Sequence, residues 1–193
     1  MREASPKLYL ASQSSRRQQL LNELGINYEL VPNLLDDETL FKQDGSIRNQ
    51  LKQLCKRKAV ASSAHLKSWI LTADTSIVFR DQVIGKPINY HDAIRILTTL
   101  SGNTHHVITA CCIYHPITKA CYFCSDIAYV TFEQLSSKDL EDYVTNMKPF
   151  DKAGSYGIQD IPEHFLASLK GQKSTVIGLP KHKINKLLKH IYT

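Results

Sequence analysis

The stretch "LYLASQSSRR" runs from apolar residues into hydroxyls and guanidinium groups: Ser12, Ser14, Arg16 and Arg17. A helix N-terminus leaves unpaired N–H groups and a partial positive charge, so it attracts phosphate, and hydroxyls and guanidinium forks placed there strengthen the grip. The same residues also have a structural reading, with Ser14 or Ser15 as an N-cap and the arginines on a solvated face. Asp74 and Thr75 follow the apolar run "WILTA", which predicts a carboxylate just beyond a buried strand, where open α/β sheets place ligands. An aspartate there also suits a turn. In "GKP", Gly85 and Pro87 hold Lys86 on a rigid turn, a way to present one ammonium to a phosphate, although a lone surface lysine is the usual reading of such a residue. In "DKAGSYGIQD", glycines permit close approach of backbone to ligand, Lys152 adds a cation, and an amide such as that of Gln159 can both donate to and accept from a nucleobase edge, although a plain flexible loop also accounts for the stretch.

The elements that must position these groups alternate. "KLYLAS" predicts a buried strand and "SSRRQQLLNEL" a helix stopped at Gly25. "YELVPN" predicts a second strand, followed by the acidic loop Asp36, Asp37 and Glu38 and a basic helix from Ile47 to about Leu66 with Leu51, Leu54 and Cys55 on one face. "SWILTADTSIVFRDQVIGKP" is β-rich with a hairpin tip at Asp81-Gln82, and "NYHDAIRILTTLSG" is a helix closed by Gly102. "HHVITACCIYH" and "KACYFCSDIAYVTFEQL" read as two long strands, and "SSKDLEDYV" as a helix capped by Ser136. Thr145 to Gln159 reads as a functional loop or lid, "STVIGLP" as a strand, and "KHKINKLLKHI" as a basic amphipathic helix. The pattern predicts an α/β fold with a mixed, partly antiparallel sheet flanked by helices.

The 193 residues, 42% hydrophobic and 22% charged, suffice for one sizeable core, and the net charge of +6 favours an anionic partner without naming it. "MREASPKLYLAS" has no apolar run suited to a signal peptide, and no window reaches the length of a membrane span, so a cytoplasmic protein with no membrane partner is expected. The five cysteines then read as reduced thiols. Cys121 and Cys124 form a C-x-x-C, but adjacent Cys111 and Cys112 in a strand point to opposite faces, which favours buried thiols over a four-thiolate zinc site. "GQKST" resembles the tail of a phosphate-binding P-loop but lacks the first glycine and is expected to enter a strand. His105 and His106 fall on opposite faces of a strand and cannot share a metal.

With these residues in view, the chain resembles the Maf family of nucleoside triphosphate pyrophosphatases. The motifs that carry the likeness are "LASQSSRR", "LLDDE", "LCKRKA", "TADTSIV" with "IGKP", "LSGNTHHVITA", "DKAGSYGIQD" and "VIGLP", in that order along nearly the whole chain. Arg16, Thr75 and Gln159 match the branch that acts on dTTP and UTP, rather than the 7-methyl-GTP branch with its tryptophan before the arginine pair. Four positions depart from the family pattern: Ser15, Glu133, Lys148 and Asp160, the last placing a carboxylate beside Gln159.

The resemblance implies a single domain over residues 1–193, with an elongated sheet and two lobes around a central cleft, that hydrolyses dTTP and UTP to the monophosphate and pyrophosphate. It implies a divalent cation, Mg²⁺ or Mn²⁺, held by Glu38 and Asp74, with Asp74 also the general base. Arg16, Arg17, Lys58, Lys86 and Lys152 then balance the triphosphate, Ser12 adds a hydrogen bond near the phosphates, and Thr75 and Gln159 read the pyrimidine and sugar. A nucleic-acid-binding module is the rival suggested by the basic charge, but recognisable motifs for it are missing and the acidic loop repels a backbone, so no stable nucleic-acid partner is expected. A role in arresting cell division, which the family's alternative name suggests, stays open beside catalysis, as does a homodimer.

Overall fold

The structure, a computed structural model, describes residues 7–36 and 46–192. Seven strands form one mixed sheet in the order β2-β1-β3-β5-β6-β7, with β4 paired to β3. The strands are β1 (Leu8–Ala11), β2 (Glu29–Val31), β3 (Trp69–Phe79), β4 (Gln82–Ile84), β5 (Thr104–Tyr114), β6 (Cys121–Phe132) and β7 (Leu166–Lys170). The helices are α1 (Ser15–Glu23), α2 (Ile47–Ala61), α3 (Tyr90–Leu100), α4 (Ser137–Met147), α5 (Lys173–Ile177) and α6 (Lys181–Tyr192). β1 runs parallel to both β2 and β3, whereas β3–β4 and β6–β7 are antiparallel, so the mixed sheet expected from the sequence is present. No helix among the described residues is long and apolar enough to cross a membrane.

The chain divides into two compact units. The first comprises residues up to Asp74, Thr109–Asp126 and the segment from Gly178; the second comprises Thr75–Ile108 and Ile127–Ile177. In the first unit, Leu8, Leu10, Leu20, Leu21, Leu51, Ile70, Leu71 and Ile184 are buried. Helix α1 is capped at its start by Ser14, whose hydroxyl accepts from the Arg17 N–H, and is followed by Gly25, φ +66°, where the Gly25 N–H donates to the Asn22 carbonyl and the Ile26 N–H to the Leu21 carbonyl. That pair of bonds satisfies carbonyls the last turn leaves open, and glycine takes the left-handed conformation at little cost. In the second unit, Ile77, Phe79, Leu97, Leu100, Val107, Phe132, Val144, Tyr156 and Phe165 form one core.

Several elements differ from the sequence reading. "STVIGLP" is not a strand: Lys173–Ile177 is a short helix, so "GQKST" does enter a helix, although one of only 5 residues and without the first glycine of a P-loop. Its β-branched residues misled because propensity yields to tertiary context in so short a segment. The hairpin tip is Arg80-Asp81 rather than Asp81-Gln82; both residues have positive φ, 50° and 61°, as a two-residue type I′ loop requires. Helix α2 ends at Ala61, not near Leu66, where Ser62 N–H donates to the Lys58 carbonyl. The segment from Thr145 to Gln159 is neither loop nor lid throughout: α4 continues to Met147, and Gly154 to Ile158 are buried. Two glycines disguised a stretch of core as a mobile loop.

All five cysteines are free. The Cys112 and Cys121 sulfurs lie 3.2 Å apart, and Cys111 is hydrogen-bonded to Cys124. Because neighbouring strand residues face opposite ways, these are two separate cross-strand pairs and not four converging thiols.

Candidate active site

The polar centre of the first unit is an ion pair. Lys58 Nζ donates to Asp74 Oδ2 at 2.5 Å, with side-chain exposures of 8% and 19%. Its origin is visible in α2, where Leu51, Leu54, Cys55, Lys58 and Ala59 make up the buried stripe. Their spacing is that of one helix face, and Lys58 occupies an inward position that an apolar residue would normally fill. A buried ammonium there requires a carboxylate, and β3 supplies it.

Asp74 does not sit beyond the end of its strand, as the sequence suggested. β3 continues through it to Phe79, and Asp74 and Thr75 are the two half-buried positions between buried Ile70–Ala73 and Ser76–Phe79. The strand is therefore open to chemistry at one short window, while both flanks are anchored in hydrophobic packing. Thr72 Oγ1 donates to the Cys55 carbonyl at 2.7 Å and Cys55 Sγ to the Ala110 carbonyl at 3.2 Å, fixing α2 against the sheet. Burial first, and then the Asp74 charge, push the Cys55 thiol far above its usual range, with Arg17 and Lys58 opposing. The inert thiol thus marks the point around which Asp74, Arg17 and Lys58 gather.

Arg17 is bound from within. Its Nε donates to the Gly178 carbonyl at 3.0 Å and its Nη1 to Ser12 Oγ at 3.2 Å, and Ser12 Oγ also accepts from the Ser14 N–H. Ser14 is the N-cap, as the structural reading has it, but the Arg17 guanidinium is oriented by neighbours rather than lying on a solvated face. Arg16, half-buried, makes no hydrogen bond or ion pair among the described residues and has its donors available.

The second unit carries Thr75, Lys86, Lys152 and Gln159. Gly154 N–H donates to the Gly85 carbonyl at 2.9 Å, which joins the turn bearing Lys86 to the turn bearing Lys152. A β-carbon on Gly154, φ +70°, would lie 2.3 Å from Ile77 Cδ1, so the close approach demands glycine. Lys86 and Gln159 are exposed. Lys152 Nζ pairs with Asp151 Oδ1 at 2.8 Å, and its stem lies with the Asp160 carboxylate over Gly157. The groups that the sequence reading overlooked are the anchors under this segment: Tyr143 Oη, which accepts from the Gly157 N–H at 3.4 Å, and His105, which meets Tyr156. Their signal was an aromatic and a histidine on core-facing positions.

Glu38 lies outside the described residues, and so does Asp37. Among the described residues no three acidic, histidine or cysteine side chains gather as metal ligands. Asp74 is the one hard-oxygen donor of the expected set that is described. A Mg²⁺ held by one or two carboxylates and the substrate's own phosphates needs no richer protein cage.

The mixed α/β fold carries a carboxylate–ammonium pair and an oriented guanidinium in its first unit and two cation-bearing turns in its second. The profile of Maf-like protein matches residues 7–191. Relatives that carry the name dTTP/UTP pyrophosphatase match nearly the whole chain, and three illustrate them. That of Aquifex aeolicus (strain VF5) is 36% identical over 96% of this chain and 95% of its own. That of Bdellovibrio bacteriovorus is 35% identical over 95% of this chain and 97% of its own. That of Colwellia psychrerythraea is 37% identical over 95% of this chain and 88% of its own. A solved dITP/XTP pyrophosphatase from Mycobacterium abscessus is a far weaker match, with a TM-score of 0.44 and 11% identity over 67% of this chain and 75% of that one, and carries no weight. The chain belongs to the Maf family.

Proposed function

We propose that this protein hydrolyses dTTP and UTP at the bond between the α- and β-phosphates, releasing pyrophosphate and the nucleoside monophosphate, as one catalytic domain. The observation that carries the chemistry is the Lys58–Asp74 pair at the half-open window of β3. The substrate class rests on the three named relatives, each similar over most of its length.

Attack of water on the α-phosphorus needs a base held in one orientation and cationic relief of charge on the departing pyrophosphate. Asp74 fills the first role: Lys58 fixes one carboxylate oxygen, and the carboxylate accepts the proton of the attacking water. Arg17, oriented by Ser12 and the Gly178 carbonyl, and Arg16 on the same helical turn bind phosphate oxygens. Lys86 and Lys152 add charge balance from their joined turns, and Thr75 and Gln159 read sugar and base. A divalent cation, Mg²⁺ or Mn²⁺, fits Asp74 and, with Glu38, would supply Lewis-acid neutralisation of the phosphates.

The test is pyrophosphate release from a panel of nucleoside triphosphates by the wild type and Asp74→Asn. Selective release from dTTP and UTP, lowered about a hundredfold or more in the variant, is the expected result. A wild type that releases none from either nucleotide ends the proposal, and near-normal turnover in Asp74→Asn removes the base from its role.

A further inference from the structure

A buried polar pair fastens the segment between Lys152 and Gln159 from beneath. His105 on β5 and Tyr156 meet at 2.7 Å through Nε2 and Oη, with relative exposures of 0% and 5%. Both rings pack edge-on against Phe132 and against each other, with centroids 4.9–5.4 Å apart. His105 Nδ1 is buried with no hydrogen-bond partner among the described residues. A neutral imidazole and a phenol hold two exchangeable hydrogens between them, yet only one bond joins this pair. If Nε2–H donates, the phenolic hydrogen finds no acceptor; if the phenol donates, Nδ1–H finds none. Either state leaves a buried donor unmade, so an apolar pair of similar volume would serve stability better. What the polar pair supplies instead is direction.

The chain that this bond holds is strained. Ser155 has φ +60° without being glycine, and its hydroxyl is buried without a partner among the described residues. Such a conformation persists only where the surroundings over-determine it. Here they do so on three sides: the Gly154 N–H on the Gly85 carbonyl, the Tyr156 hydroxyl on His105, and the Gly157 N–H on the Tyr143 hydroxyl.

We propose that His105 is a positioning residue for substrate binding: its bond to Tyr156 sets the register of the segment that presents Lys152 and Gln159. The inference rests on the reading above that those two side chains bind the nucleotide. His105 itself touches neither substrate nor water, because it is fully buried. Burial first and neighbouring His106 second push it down to about 4, which keeps it neutral in the working range and unsuited to moving protons there.

The experiment measures KM and kcat for dTTP, with thermal melting, in the 193-residue chain carrying Tyr156→Phe, His105→Leu, both together, His105→Gln or Lys152→Ala. Tyr156→Phe and His105→Leu should each raise KM about tenfold with a much smaller change in kcat, as misplacement of binding groups does. The double variant should be no worse than either single one, and His105→Gln, whose amide reaches the place of Nε2, should recover most of the loss. A lowered melting temperature with KM unchanged in Tyr156→Phe, while Lys152→Ala raises KM, overturns the inference alone. An unchanged KM in Lys152→Ala overturns the binding reading and the inference with it. Should His105→Leu fail to fold, Tyr156→Phe, which removes one oxygen and keeps the ring, decides the matter.

Discussion

The two units present functional groups in opposite ways. In the first, the side chains are bound to one another: Lys58 to Asp74, and Arg17 to Ser12 and the Gly178 carbonyl. In the second, Lys86 and Gln159 are exposed, and the backbone beneath is held by bonds from Gly85, His105 and Tyr143. Mutual restraint suits a carboxylate whose orientation decides a rate. Open side chains on a fixed backbone suit recognition, where a group must be available to a ligand yet not wander. The contrast teaches that rigidity at a site has two sources, and that each fails differently.

Substitutions separate the two. The largest effect belongs to the bound carboxylate: Asp74→Asn should retain the fold and lower pyrophosphate release by between about a hundredfold and ten-thousandfold. A small loss would place the chemistry outside the first unit's cluster. Next comes an acid-induced effect in the second unit. The His105 imidazole lies at about 4 instead of 6.5, so below pH 6.5 the unfolded chain takes up a proton that the folded chain resists. This group therefore leaves stability unchanged above about pH 6.5 and lowers it as pH falls towards 4, by about 3 kcal/mol in all. Urea midpoints between pH 7 and 4.5 should fall along that limb in the wild type and flatten in His105→Gln.

Lys58→Met removes the ammonium from a half-buried carboxylate and should lower stability by about 2 kcal/mol in urea unfolding, less than for a fully buried pair because Asp74 keeps some contact with water. Adding Asp74→Asn to it should return part of that stability, which an unrelated packing defect would not do. Gly154→Ala, at φ +70° and against Ile77, should cost about 1.5 kcal/mol and raise KM for dTTP more than it lowers kcat. The smallest effect is expected of Gln159→Ala: a change of less than about tenfold in the preference for dTTP and UTP over other nucleotides, with stability untouched. An unaltered substrate profile there removes base reading from the exposed side.

The sequence made the contrast legible only in part. Strands, helices and the caps at Ser14 and Ser136 were readable because their signals are local: alternation, helical spacing, and hydroxyls before a first turn. The Lys58–Asp74 contact was not, since nothing local couples a lysine on a helix to a residue on a strand beyond it. A hint existed in the apolar stripe of α2, which Lys58 interrupts at an inward position. Asp74 stands within β3 and not at its end, where the sequence places it because a carboxylate rarely stands inside a buried strand. The segment from Gly154 to Ile158 was read as exposed because glycines usually mark surface loops. Here they serve close packing, a tertiary demand that spacing does not encode.

Cys55 has a practical consequence. Its sulfur is sealed where α2 meets β3, and its proton is held tightly by burial and by the Asp74 charge. Thiol-modifying reagents therefore gain access only when that seam parts. The rate at which Cys55 acquires label, followed residue by residue, is a clock for transient opening of the region around Asp74, and nucleotide bound there should slow it.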